Sequence, residues 1–187
     1  MTRNIAGLAK LPASRKRKGK AWSTEEARSF LESARRDADP LYAAYVLVLV
    51  CGLRKGEVLG LTRDDVDLDG ADLVIGRQLQ RVGRQLLHRE TKTHASDASL
   101  PLPAICVTAL RQRLAKADQA RPAAGSAWQH SGVVFCSAFG TPVDPRNVNR
   151  SWDTRCLKAG SGRSPFMTPG VPAARCWPTW TCTHGWR

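Results

Sequence analysis

Residues 51–61 read Cys51-Gly52-Leu53-Arg54-Lys55-Gly56-Glu57-Val58-Leu59-Gly60-Leu61, and this stretch lays out a corner between two helices. Upstream of it, Leu41 to Cys51 is apolar nearly all round, as in a helix inside a core, and Pro40 opens that helix at a first-turn position that needs no N–H. Gly52 ends it, because glycine takes the left-handed C-terminal conformation without a Cβ penalty. The chain then turns directly into a second, short helix over Leu53 to Leu59. Arg54 therefore stands at a helix junction, with Glu57 three residues on and on the same helical face. Taken alone, an arginine here equally well caps the helix before it.

Working outward, Ser23-Thr24-Glu25-Glu26 is a capping box, and Ala27, Phe30, Leu31 and Ala34 follow it at the spacing of one apolar helical stripe. On the other side, from Asp64 to Leu102, the pattern shortens to β-type runs at Leu73-Val74-Ile75, Gln78 to Gln85 and Ser99-Leu100-Pro101-Leu102, with turns at Gly70 and Gly83. A small antiparallel sheet is predicted there. Helical signals return over Ala104 to Ala117, followed by a Pro/Ala/Gly-rich loop, the run Val133-Val134-Phe135, and a last helix around Arg146 to Lys158. After Ala159 glycine, serine, proline and threonine dominate without apolar periodicity, so residues 160–187 read as a disordered tail.

The chain has 187 residues, 42% of them hydrophobic, enough for one core, and no apolar run reaches membrane-spanning length. The first twenty residues are short of hydrophobes and basic, unlike a secretory signal, which places the chain in the cytoplasm. The six cysteines are far apart and read as reduced; Cys176, Cys182 and His184 have the wrong spacing for a usual zinc site, so no metal and no cofactor is expected. A net charge of +13 implies a polyanionic partner, and charge alone does not separate DNA from RNA or an anionic membrane. Arg15, Lys16, Arg17, Lys18 and Lys20 form a cluster that either tracks phosphates or merely solubilises a loose arm.

The corner at residues 51–61, continued by Asp64-Asp65-Val66-Asp67, resembles the first catalytic box of the tyrosine recombinases, the phage integrase family. Further on, Glu90-Thr91-Lys92-Thr93 before Ser96, then Leu100-Pro101-Leu102-Pro103, resembles that family's β-hairpin lysine segment; Phe135 with Gly140-Thr141-Pro142 matches in order and spacing. The likeness covers roughly residues 22–159. It implies an α+β, mainly helical catalytic fold with a small antiparallel β-sheet, acting on double-stranded DNA with neither membrane nor cofactor, in a family whose members assemble as tetramers on DNA. By the resemblance, Arg54 is the first catalytic arginine, its planar fork suited to two hydrogen bonds with a scissile phosphate. Lys92 is the hairpin lysine that protonates the leaving 5′ oxygen, and Glu57 orients the Arg54 guanidinium.

The family reaction also needs a His-x-x-Arg box, a later His or Trp, and a nucleophilic tyrosine. None is matched here: Tyr42 and Tyr45 are the only tyrosines, and both lie upstream of Arg54 on the helix read as core. The fold is therefore expected to be incomplete at its C-terminal end, with residues 1–21 as the remnant of a basic linker. A reading-frame shift accounts for the tail. Read from the third base of the Phe166 codon, the gene segment for Phe166 to Val171 gives His or Tyr, then an aspartate forced by Met167 and Thr168, and with GC-rich codons His-Asp-Ala-Arg-Arg. Two functions follow: a catalytically incomplete recombinase fragment that binds DNA, or a non-catalytic DNA-binding accessory protein. An RNA-binding role is weaker, since no RNP-like or GXXG segment is present.

Overall fold

The computed structural model of the chain describes residues 22–90 and 99–161. Three helices come first: α1 (Thr24–Arg36), α2 (Tyr42–Val50) and α3 (Lys55–Gly60). The capping box is present, with the Ser23 hydroxyl accepting from the Glu26 N–H at 3.2 Å and the Glu26 carboxylate accepting from the Ser23 N–H at 2.7 Å. The stripe read from the sequence faces inward, and Ala27, Phe30, Leu31 and Ala34 are all buried. Every residue of α2 from Ala43 to Leu49 is buried, as its all-apolar composition requires. Gly52 has φ 70°, the left-handed value that lets α2 stop and α3 start within four residues.

Beyond α3 come β1 (Val66–Asp67), β2 (Asp72–Val74), β3 (Arg77–Val82), β4 (Gln85–Glu90) and β5 (Ser99–Pro101), then α4 (Ala104–Ala124) and α5 (Pro145–Lys158). The strands make two sheets, where the sequence suggests one. β1, β2 and β5 form an antiparallel three-stranded sheet with Leu73 opposite both Val66 and Leu100. β3 and β4 form a separate hairpin, closed at Gly83 (φ 60°), with Arg77 opposite Glu90. The run expected over Gln78 to Gln85 is therefore the first strand and the turn of this hairpin, and its second strand continues to Glu90.

The hairpin stands apart because it docks on α3. A Cβ added at Gly60 would lie 2.7 Å from the Gln78 Cα and 2.9 Å from the Arg77 carbonyl oxygen, both backbone atoms of β3. Only glycine allows helix and strand to approach so closely. His88 of β4 closes the same seam: its Nε2 lies 2.7 Å from the Gly60 carbonyl oxygen, which can only accept, so Nε2 carries the proton. Gly60→Ala should accordingly destabilise the domain by about 2 kcal/mol, as overpacking against backbone does, measured as a lower urea midpoint at unchanged slope.

Three more elements differ from the sequence reading. α4 runs on to Ala124 through Pro122, past the expected loop start. Pro122 lies in the last turn, where it costs the helix only the hydrogen bond to the carbonyl four residues back, and the Arg63–Asp118 ion pair at 2.5 Å holds this end of the helix. Val133 to Phe135 is buried but makes only an isolated bridge, Thr62 to Val133, instead of a strand. α2 starts at Tyr42 with Leu41 as its N-cap, so Pro40 precedes the helix instead of opening it in the first turn.

The core is aromatic at its centre. Phe30 of α1, Tyr45 of α2 and Trp152 of α5 are fully buried with ring centroids 4.6–5.4 Å apart, and Trp22 stacks on Trp152 at 5.5 Å. α5 is also pinned by Arg155. Its guanidinium donates to the Asp37 and Asp39 carboxylates, each at 2.6 Å, and to the Ser33 carbonyl oxygen at 3.2 Å, tying the last described helix to the α1–α2 connection.

Candidate nucleic-acid site

α3 begins at the corner, and Arg54 is its N-cap residue with extended backbone (φ −72°, ψ 147°). Glu57 grips it twice: Oε2 accepts from the Arg54 backbone N–H at 2.8 Å, while Oε1 accepts from Nη1 of the guanidinium, also at 2.8 Å. One carboxylate thus satisfies an open N–H at the helix start and aims the side chain. The Arg54 side chain is 71% exposed and that of Glu57 only 13%, so the carboxylate is a buried post and the guanidinium a projecting fork. Of the two sequence readings of Arg54, capping of α2 is not what occurs, since its hydrogen bonds go to Glu57.

Such a fork keeps donors directed at solution, fixed on one side by a negative partner, which is how an oxyanion or phosphodiester is held. Glu57→Gln retains the shape but neutralises the post. It should leave the fold intact and weaken duplex DNA binding by about threefold, because a charge-assisted bond becomes a neutral one. Titration of both proteins with the same labelled duplex checks this.

The neighbouring Lys55 turns the other way. Its Nζ donates to the Asn149 Oδ1 at 2.8 Å, and burial lowers its pKa, opposed by the nearby Asp144. Asp144 caps α5, accepting from the Arg146 N–H at 2.8 Å, and pairs with Arg81 of β3. Lys55–Asn149 and Arg81–Asp144 hold the start of α5 against α3 and the hairpin, and the sequence reading did not identify them. The Asp144-Pro145 helix start carried a local signal, but its partners lie 63 and 94 positions away and left none.

Lys92 and the basic cluster Arg15, Lys16, Arg17, Lys18 and Lys20 lie outside the described residues, as do Cys176, Cys182, His184 and the tail segments read for a frame shift. The two ends of the segment bearing Lys92 are placed: it leaves β4 at Glu90, on the strand fastened to α3 by His88, and re-enters at Ser99 of β5. Among the described residues no group of three or more His, Cys, Asp or Glu could hold a metal ion. No helix among them is long and apolar enough to cross a membrane.

The fold is shared with solved recombinase and integrase structures. The Tn1549 transposon integrase in complex with a circular intermediate DNA superposes with a TM-score of 0.68 at 17% identity, over 87% of this chain and 52% of that one. A lambda integrase tetramer bound to a Holliday junction gives 0.51 at 15% identity, over 88% and 41%. In sequence, an integrase of Streptomyces ambofaciens is 33% identical over 170 residues. Residues 21–169 match the phage integrase family, and the chain belongs to it. The chain spans 42% of the Streptomyces integrase, less than half its length.

Proposed function

We propose that this chain binds double-stranded DNA and contributes the Arg54 corner to a phage-type integrase, whose work is site-specific recombination. The observation that carries this is the exposed guanidinium of Arg54, held from behind by the largely buried Glu57 carboxylate on a corner whose sequence resembles the family's first catalytic box. In this reading Arg54 forms two hydrogen bonds with one phosphate and stabilises the charge that builds there during strand cleavage. Lys92, carried in from β4, supplies the proton to the leaving oxygen. Glu57 positions Arg54, and the Arg15 to Lys20 cluster follows the neighbouring phosphates. Residues 22–159 form the catalytic-domain part, and the protein works in the cytoplasm, assembled on DNA like the lambda integrase tetramer on its junction.

A second reading is favoured by one further observation. Tyr45 is fully buried and Tyr42, partly buried, packs against the same core, so both tyrosines serve the packing of α2. Taken by itself, the chain then binds DNA without cleaving it, as an accessory protein would. Two experiments test the proposal. Duplex affinity should fall steeply with salt, by about 0.9 logarithmic units per phosphate contacted for each tenfold rise, and duplex DNA should outcompete RNA at fixed salt. A nicked suicide duplex should form no covalent adduct with this chain. Salt-insensitive binding overturns the first reading, and an adduct overturns the second.

A further inference from the structure

The α2–α3 corner holds a second kind of chemistry. Cys51, at the C-terminal end of α2, and Cys106, in the first turn of α4, place their sulfur atoms 3.5 Å apart although they are 55 positions apart in sequence. Both are free thiols; Cys51 is partly exposed and Cys106 fully buried. The other described cysteines are placed differently: Cys136 lies beside the Arg113 guanidinium, and Cys156 is buried on α5. A partly exposed cysteine backed by a buried one at contact distance is the arrangement of an attacking thiol with its resolving partner.

We propose that Cys51 and Cys106 form a reversible thiol–disulfide site whose oxidation by a peroxide locks α2 to α4 and displaces the Arg54 corner. The sulfur of Cys51 attacks one oxygen of the peroxide, the O–O bond breaks, and hydroxide leaves and takes up a proton as water. Cys51 is then a sulfenic acid. Cys106 attacks its sulfur, the S–O bond breaks, and a second water departs, so two thiols lose two electrons to one peroxide. The hydrogen bond between the two sulfurs favours the Cys51 thiolate, which supports the order of events, while that same bond and burial hold the Cys106 proton in place until the second step.

Closing a disulfide requires the two sulfurs to approach by about 1.5 Å from their present contact. Cys51 is joined to Arg54 only through the left-handed Gly52 and through Leu53, and the guanidinium is held by Glu57 alone. A shift at Cys51 is therefore passed to the residue that the proposed function assigns to the phosphate, and the regulatory part of the inference rests on that reading.

The test uses the full chain with Cys176→Ser and Cys182→Ser, so that those thiols do not compete. The protein is treated with hydrogen peroxide, remaining thiols are alkylated, and peptides are mapped before and after dithiothreitol. The expected result is a reducible Cys51–Cys106 cross-link, with duplex affinity about threefold or more lower when oxidised and restored on reduction. The same protein with Cys106→Ala should give a sulfenic or over-oxidised Cys51 and no cross-link. Oxidation of Cys51 without a bond to Cys106 overturns the site, and a cross-link that leaves affinity unchanged overturns the switch. Arg54→Ala in the reduced protein separates the two failures: if it weakens binding, the DNA reading stands and only the switch is lost.

Discussion

Arg155→Met should lower the unfolding free energy by about 3–5 kcal/mol, the largest stability effect expected of any single substitution outside the aromatic core. Arg155 is 6% exposed, and its guanidinium makes hydrogen bonds to Asp37, Asp39 and the Ser33 carbonyl. Methionine fills the volume but strands the Asp39 carboxylate, only 10% exposed, with the Leu41 N–H as its remaining donor. Arg155→Lys keeps the charge without the planar fork and should fall between the two. Chemical denaturation of the three proteins orders them.

The same network sets a pH dependence. Its hydrogen bond to Arg155 holds the Asp37 carboxyl below the ordinary aspartate value. A carboxyl whose pKa is depressed on folding stabilises above its unfolded value and loses that contribution as pH falls through the folded one. Wild type should therefore lose stability below about pH 4. Arg155→Met should lose less over that interval, because only Lys158, 3.6 Å from the Asp37 carboxylate, is then left to lower its pKa.

Arg54→Ala should weaken duplex binding by roughly tenfold to a hundredfold, the worth of a bidentate charge-assisted contact with phosphate. Its cost to stability should be small. The side chain is mostly exposed and its ion pair with Glu57 lies at the surface on one side. Arg54→Lys should recover little, since an ammonium is a point charge and cannot reproduce two parallel bonds. The contrast with Arg155 is instructive, because both arginines pair with carboxylates. The buried one supports the fold and the projecting one offers its donors outward, and affinity and stability measured on each mutant separate the roles.

The local grammar of the chain was readable in advance. Gly52 and the helices either side of it, the Ser23 capping box, and the Glu57 partner of Arg54 each follow from residues within a few positions of one another, where spacing dictates contact. The arrangement of the strands was not. Period-2 patterning marks strands without naming their neighbours, and the split into a sheet and a separate hairpin depends on Gly60 admitting β3 against α3, a contact between distant segments. The extension of α4 through Pro122 was missed because a proline in mid-helix breaks it, whereas here the lost hydrogen bond falls in the last turn. Arg155 carried no signal at all. Its partners lie 116 and 118 positions away, and nothing in Asp37-Ala38-Asp39 distinguishes carboxylates that receive a buried arginine from a solvated turn.

A disulfide-tether scan is the most direct test that the corner and the hairpin segment meet at one phosphodiester. On a duplex selected for tight binding, a thiol linker is placed at successive phosphates, and chains carrying Arg54→Cys or Lys92→Cys are trapped against the series, with the unsubstituted chain as background. Trapping of both positions by the same phosphate, or by immediate neighbours on one strand, is the predicted outcome. If position 54 captures none, or the two positions capture phosphates on opposite faces of the duplex, the assignment of Arg54 and Lys92 to a shared phosphate is wrong.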